Sequence, residues 1–234
     1  MVPLVALPVR MAQQGFYRVE ICHFHIEDTS SEYLARLKDA FEQVGVTIQS
    51  VLIDDGDVSS QDCGERDAAW IGGWIDVAAK LGAERARVIA GKSEFSREAF
   101  ERSVAKLKPL ASRGADQGVR MTTENWFPLL STPDAVLEML DRLEGNLGLC
   151  ADFGNWAGPD KYEALTRIYP QAETCHAKCE FSDAHAIDVV DYGRCLLDLK
   201  ASGFDGPLVL VNGGPDHEWN ALDLTREAIS QVWS

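Results

Sequence analysis

Short apolar runs alternate with longer stretches of helical period along the whole chain. The short runs are rich in Val, Ile and Thr, as in buried strands, and the longer stretches carry apolar residues three or four positions apart. Ser96 and Thr132 stand where helix N-caps are expected, Thr29 and Glu32 have capping-box spacing, and Gly82 ends a helical pattern. The predicted strands span residues 18–24, 46–53, 87–91, 119–125, 147–154, 173–180 and 207–211.

Repeated βα units of this kind predict an α/β protein with a parallel sheet. Seven or eight units fit a closed (β/α)₈ TIM barrel better than an open sheet, and no GxGxxG or GxxxxGK[ST] motif follows a strand. No linker or low-complexity tract interrupts residues 1–234, so we expect a single domain.

The front of the barrel is unusual, because only residues 1–14 precede the segment Gly15-Phe16. Either residues 3–6 form a shortened first strand, or the first strand is missing and the barrel opens directly at its first helix. A missing strand leaves two unpaired edges, which soluble proteins cover with a loop or a second subunit. For this reason we expect a homodimer.

The composition is that of an ordinary globular protein with a strong acidic excess. The chain has 234 residues, 46% of them hydrophobic, and a formal net charge of −15. This charge disfavours nucleic acids and anionic membranes as partners. With no apolar run long enough to span a bilayer and no signal-peptide pattern, we expect a cytoplasmic protein. The six cysteines lack CxxC spacing, and most of them are predicted to be reduced thiols.

Polar and charged residues stand at the carboxyl ends of the predicted strands, where the chemistry of such barrels is found. Carboxylates and imidazoles from separate strands suit a divalent ion such as Mn²⁺, Mg²⁺, Co²⁺ or Zn²⁺ that leaves positions open for substrate oxygens. Buried carboxylates paired with an arginine, and a hydrogen-bonded core histidine, are the structural alternatives. The strand-end residues are Glu20, His23, His25, Asp54, Asp55, Lys92, Glu124, Asn125, Asp152, Asn155, His176, Lys178 and Asn212.

Several segments, in order and spacing, resemble the sugar phosphate isomerase/epimerase family. These xylose isomerase-like barrels include ketose 3-epimerases, hydroxypyruvate isomerase and inosose dehydratase. The likeness covers nearly the whole chain. The segments that carry it are GFYRVEI, AAKLGAERARVIAG, TTEN, LCADFGN, CHAKCE and HAIDVVDYGRCLLDLKASGFDGPLVLV.

The resemblance implies a metal bound by Glu124, Asp152 and His176, with a glutamate from the last strand as fourth ligand. In this chain Val211 occupies the place of that glutamate and Asn212 follows it. In family epimerases the carboxylates corresponding to Glu124 and to the missing glutamate act as base and acid on opposite faces of the substrate.

Two further departures from the family pattern are Asn155, where a histidine is usual, and Cys179, where an aspartate is usual. The sequence predicts an isomerase or epimerase acting on a small sugar, sugar phosphate or hydroxy-carbonyl compound. Glu124 would be its base, and Lys178 or Glu218 would return the proton. The residues expected to bind substrate are His25, Lys92, Asn125, Asn155, Lys178 and Asn212.

Two alternatives stay open. A dehydratase acting on a polyol-ketone such as an inosose needs only one carboxylate base, and a degenerate barrel would bind a sugar without catalysis. A DNA-repair endonuclease of the same barrel group is disfavoured, because it requires a histidine-rich multi-zinc cluster and this chain has five histidines and a charge of −15.

Overall fold

The computed structural model describes residues 2–179, 187–212 and 218–233, except for the side chains of Asn212 and Glu218. The strands are β1 Arg18–Cys22, β2 Thr47–Ile53, β3 Arg85–Val88, β4 Arg120–Glu124, β5 Gly148–Asp152, β6 Ala172–Cys179 and β7 Leu208–Asn212. The α-helices are α1 Leu7–Gln13, α2 Ser31–Glu42, α3 Gly64–Leu81, α4 Arg97–Asp116, α5 Pro133–Arg142, α6 Lys161–Ile168, α7 Val189–Ala201 and α8 Glu218–Trp233.

The seven strands form one parallel sheet in the order β1-β2-β3-β4-β5-β6-β7. The sheet curls into a nearly closed barrel, and among the described residues β1 and β7 each pair with one neighbour only. The predicted TIM barrel with a missing first strand is therefore confirmed. A 3₁₀ turn, Leu4–Ala6, leads directly into α1, so the shortened-strand alternative is wrong.

The helices cover the outer face of the sheet and bury apolar residues against it. Leu37 and Phe41 of α2, and Ile71 and Ile75 of α3, are almost completely buried. This repeated burial of one helical face explains the apolar periodicity of the sequence.

Most of the predicted helix ends are confirmed. The Ser96 and Thr132 side chains accept hydrogen bonds from the backbone N–H groups of Ala99 and Ala135, at 3.1 and 3.3 Å. Gly82 ends α3 in the left-handed region, with a φ of 70°. The predicted capping box is wrong by one residue, because the cap of α2 is Ser30.

Two strands differ from the prediction in ways that affect the site. β1 ends at Cys22, and a 3₁₀ turn follows over His23–His25, so both histidines lie outside the strand. β3 begins at Arg85, two residues earlier than predicted, so Arg87 lies within the strand. Since strand residues alternate between the two faces, Arg87 shares its side of the sheet with Arg85.

Asp57 joins the loops that follow β2 and β3. Its carboxylate accepts hydrogen bonds from the backbone N–H groups of Ser59 and Lys92, both at 3.0 Å, and from the Ser93 hydroxyl at 3.2 Å. Its own N–H donates to Asp67 at 2.9 Å. These hydrogen bonds hold the two loops together at Asp57.

Replacing Asp57 by asparagine should destabilise the protein by about 1–2 kcal/mol at pH 7, because hydrogen bonds to a charged acceptor are lost. Burial alone would raise the pKa of Asp57, but hydrogen bonds from Ser59, Lys92 and Ser93 lower it below the ordinary value of 3.8. The contribution of the carboxylate is thus present above that value and is lost as the pH falls through the lowered pKa.

Urea unfolding of wild type and Asp57→Asn, at pH 7 and in acid, measures this contribution. Asp62→Asn, on the exposed part of the same loop, is the control. A difference between wild type and Asp57→Asn that stays the same size in acid would contradict the assignment.

In the part of the chain that the structure describes, no helix combines the length and apolar character needed to cross a membrane. The six cysteines, all within the described residues, form no disulfide bond.

Candidate active site

A cavity of about 770 Å³ opens at the carboxyl ends of the strands and continues towards the gap between β1 and β7. Its floor is polar, whereas the part beside the gap is apolar. The floor includes Glu20, Arg87, Glu124, Asp152, Asn155, His176 and Lys178, and the apolar part includes Met11, Phe16, Val19, Leu208, Trp219 and Leu222.

Three consecutive strands bring Glu124, Asp152 and His176 together on this floor. Nδ1 of His176 lies 3.4 Å from Oε2 of Glu124 and 3.5 Å from Oδ2 of Asp152. All three side chains are almost fully buried. The strand ends predicted from the sequence to hold a metal therefore do converge.

Glu20 holds the other side of the His176 ring. Its Oε2 lies 2.7 Å from Nε2 of His176, and its Oε1 accepts a hydrogen bond from Gln49 at 3.4 Å. A carboxylate at Nε2 fixes the orientation of the ring and directs Nδ1 towards Glu124 and Asp152.

Arg87 is a buried cation inside the barrel that sequence reasoning missed. Its guanidinium lies 2.5 Å from Asp54 Oδ1 and 3.1 Å from Glu124 Oε2, and it stacks at 5.5 Å from the centre of the Trp126 ring. Only 3% of the residue is exposed. An arginine two positions after Arg85 in an otherwise apolar strand was the available signal. Because the predicted strand begins only at residue 87, nothing in the sequence pattern placed Arg87 inside the barrel.

These charges keep Glu124 ionised. Burial alone would raise the pKa of Glu124, but the charges of Arg87 and His176, with a hydrogen bond from Asn155, lower it to about 2. Glu124 is thus a carboxylate throughout the neutral range, which suits a ligand, and it is a weak proton acceptor in the metal-free protein.

His176 is affected in the opposite direction. Burial alone would lower the pKa of His176, but the charge of Glu124 and hydrogen bonds with Asp152 and Cys150 raise it well above its ordinary value. A metal at Nδ1 would compete with a proton for this nitrogen.

The two predicted asparagines have different surroundings. Asn155 lines the cavity and donates from its side-chain amide to Oε1 of Glu124. Asn125 is buried beneath the floor, where it accepts from the N–H of Asp152 at 2.7 Å and donates to the Asp152 carbonyl at 3.2 Å. Asn125 thus joins β4 to β5 instead of facing the cavity.

Lys178 and Val211 lie side by side on β6 and β7, and both line the cavity. Val211 therefore faces the site at the position where the family resemblance implies a carboxylate. Asn212 ends β7, Glu218 begins α8, and both side chains lie outside the described part of the structure.

His25 and Lys92 lie at the rim instead of the cavity floor. His25 is exposed, with its ring 4.5 Å from that of Phe24. Lys92 donates to Asp55 at 2.9 Å, and its ammonium lies 5.5 Å from the centre of the Phe127 ring. Neither residue lines the cavity. The early end of β1 accounts for the position of His25.

The donor set of the floor fits a divalent metal. Carboxylate oxygens and an imidazole nitrogen face one another across a few ångströms, and Oε2 of the buried Glu124 accepts no hydrogen bond from any described residue. A buried carboxylate oxygen that lacks a hydrogen-bond donor and faces other donor atoms is suited to bind a metal ion. The guanidinium of Arg87 is the other cation within reach of that oxygen.

The fold and the position of the cavity define a TIM-type barrel with its candidate site at the carboxyl ends of the strands. The family model described as xylose isomerase-like TIM barrel matches residues 9–231, and the chain belongs to this family. A search of curated proteins finds no match to the chain.

Solved structures share the fold at low sequence identity. An L-ribulose 3-epimerase is 19% identical, with a TM-score of 0.79 over 98% of this chain and 90% of that one. A xylose isomerase-like TIM barrel protein from Mycobacterium smegmatis, in complex with magnesium, is 16% identical, with a TM-score of 0.76 over 99% and 89%. The probable 3-DHS dehydratase AsbF from Bacillus anthracis is 15% identical, with a TM-score of 0.73 over 100% and 94%.

Proposed function

We propose that this protein is a metal-dependent isomerase or epimerase of a small sugar or hydroxy-carbonyl compound. The observation that carries the proposal is the convergence of Glu124, Asp152 and His176 on the floor of a cavity of about 770 Å³. That volume lies in the range of about 300–1,000 Å³ found for small-molecule sites. The similar epimerase structures support the fold of such an enzyme.

Glu124, Asp152 and His176 are the residues that would hold the metal. When bound, a divalent ion polarises a substrate carbonyl or hydroxyl oxygen and so acidifies the neighbouring C–H bond. That help matters here, because the low pKa of Glu124 makes this carboxylate a weak base by itself.

Glu124 is the residue placed to remove the proton. Its Oε1 is oriented by Asn155 and its Oε2 faces the metal donors, so the carboxylate borders the space that a substrate would fill. A single carboxylate can take a proton from one carbon and return it to the adjacent carbon. This route needs no acid on the opposite face, where Val211 stands.

Lys178 and Arg87 are the cations of the cavity floor that could contact substrate oxygens. Nη1 of Arg87 donates no hydrogen bond to any described residue. Lys178 provides the charge that a phosphorylated sugar would require and is the candidate for returning a proton from the face opposite Glu124. The protein would act as a homodimer if a second subunit covers the edges of β1 and β7.

Incubation of the metal-loaded protein with a panel of ketoses and aldoses, free and phosphorylated, tests the proposal. We expect a product of unchanged mass, with deuterium from D₂O at the isomerised carbon, because the proton passes through a base that exchanges with solvent. Glu124→Gln is the inactive control. A sugar that binds without turnover and without any need for metal would instead identify a non-catalytic barrel.

A dehydratase is the second candidate, and Val211 is the observation that favours it. Elimination of water needs one base, which Glu124 supplies, and no carboxylate on the last strand. In the same incubation, a polyol-ketone converted to a product lighter by one water would identify this activity.

A further inference from the structure

Cys150 points into the barrel beside two of the residues proposed to hold the metal. In the register of the sheet, Cys150 of β5 is paired with Glu124 of β4, whereas Asp152 is paired with His176 of β6. Ligand atoms of Glu124, Cys150 and His176 all lie within 4.8 Å of one another, and all three residues are buried. Asp152 is not a member of this mutually close set.

A second observation points to a ligand at the same place. Oε2 of Glu124, 5% exposed as a residue, accepts no hydrogen bond from the described residues and lies 3.4 Å from Nδ1 of His176. Both atoms therefore face the space beside the Cys150 sulfur. Its cationic neighbour is Nε of Arg87, at 3.1 Å but without hydrogen-bond geometry, so the oxygen still lacks a hydrogen-bond donor.

The last strand gives no anionic donor to this site. Its sequence from Leu208 to Asn212 is LVLVN, and Val211 lines the cavity. A second anionic ligand beside Glu124 must therefore come from elsewhere in the barrel, and the acidic group in register with Glu124 is the Cys150 thiol.

We propose that Cys150, instead of Asp152, is the third metal ligand beside Glu124 and His176, and that its sulfur makes the site selective for a soft divalent ion such as Zn²⁺. The inference rests on the proposed function, because it concerns the metal of the same site. Binding forms a metal–sulfur bond and releases the thiol proton to solvent. Three protein ligands leave a coordination position open, as in catalytic zinc sites.

A metal site with a thiolate ligand differs from a site made only of oxygen ligands in the metal ions that it prefers. Thiolate and imidazole donors favour Zn²⁺ and Co²⁺, whereas Mg²⁺ prefers oxygen ligands in an octahedral arrangement. The protein should therefore bind Zn²⁺ more tightly than Mg²⁺. The ratio of the two affinities should exceed the ratio expected for a site made of oxygen donors alone.

Titration of the metal-free protein with Co²⁺ tests the assignment directly. Cobalt bound to a thiolate gives a sulfur-to-metal charge-transfer band in the near ultraviolet, whereas cobalt bound to oxygen and nitrogen gives visible d–d bands alone. We expect the charge-transfer band in wild type and its loss in Cys150→Ala and Cys150→Ser. Cys175→Ala, a buried thiol that faces away from the barrel interior on β6, is the matched control and should keep the band.

The outcomes separate this inference from the proposed function. Visible bands without a charge-transfer band in wild type would overturn the role of Cys150 and leave the metal-dependent enzyme intact. A charge-transfer band that persists in Cys150→Ala would also overturn it. No cobalt spectrum at all, with no thermal stabilisation, would overturn both.

Affinity gives an independent readout that needs no turnover. Loss of a residue that only hydrogen-bonds to a metal ligand typically weakens metal affinity by about 10–100-fold. Loss of a ligand should cost at least as much, so Cys150→Ser should weaken Zn²⁺ binding by at least about tenfold. Affinity for Mg²⁺ should change little. An equal change for both ions would show that the variant perturbs the site generally and would contradict direct ligation.

Discussion

Replacing Arg87 by methionine should cost about 3–5 kcal/mol of folding free energy, because removal of one partner leaves buried carboxylates without their counter-charge. The guanidinium contacts Asp54 at 2.5 Å and Glu124 at 3.1 Å, and it is 4% exposed as a side chain. Methionine keeps most of the volume of the side chain, so the loss reports charge and hydrogen bonding more than packing. Urea unfolding at pH 7 measures it.

Arg18→Met is the control for this prediction. Arg18 also lies on a barrel strand, β1, and forms an ion pair with Glu84, but half of its side chain is exposed. Exposed pairs contribute about 0–1 kcal/mol, so this variant should unfold close to wild type. If Arg87→Met lost no more folding free energy than Arg18→Met, the charge of Arg87 would not stabilise the buried carboxylates of Asp54 and Glu124.

Glu124→Gln should lower turnover of an isomerised sugar by about 10²–10⁴-fold, the usual contribution of a general base. The amide cannot accept the proton, and it also removes one of the anionic donors on the floor. Its shape is nearly that of glutamate, so the barrel should still fold. Steady-state kinetics at saturating metal, with circular dichroism as a check on folding, measures the effect.

Glu173→Gln is the matched variant. Glu173 lies at the opposite end of β6 and forms an ion pair with Arg120 at 2.6 Å, remote from the cavity floor. Turnover should stay close to wild type in this variant. Equal losses in Glu124→Gln and Glu173→Gln would point to a general effect of charge removal instead of a base on the floor.

The alternation of strands and helices was readable from the sequence because each βα unit is a local pattern. Apolar periodicity, the hydroxyl caps at Ser96 and Thr132, and the left-handed stop at Gly82 all depend on residues a few positions apart. The ends of strands were harder to predict. Whether β1 stops at Cys22 or continues to Phe24 depends on its pairing with β2, which no local pattern encodes.

The site was only partly predictable for the same reason. Glu124, Asp152 and His176 could be placed at neighbouring strand ends, but which side chains meet across the barrel depends on register between strands. That register pairs Glu124 with Cys150 instead of Asp152. The composition of the site also depends on where β3 begins. Because β3 begins at Arg85, Arg87 lies within the strand and its side chain is a buried cation inside the barrel.

Metal binding by the cavity floor is most directly measured by metal content together with the melting temperature on addition of Mn²⁺ or Zn²⁺. A ligand that binds only the folded state, at about 100 times its Kd, adds about 2.7 kcal/mol of apparent stability, or roughly 5–10 °C for a chain of this size. We predict about one metal per chain and this rise for wild type and Glu173→Gln, and a lower metal content with a smaller rise for Glu124→Gln. No bound metal and no rise in wild type would contradict a metal site at Glu124, Asp152 and His176.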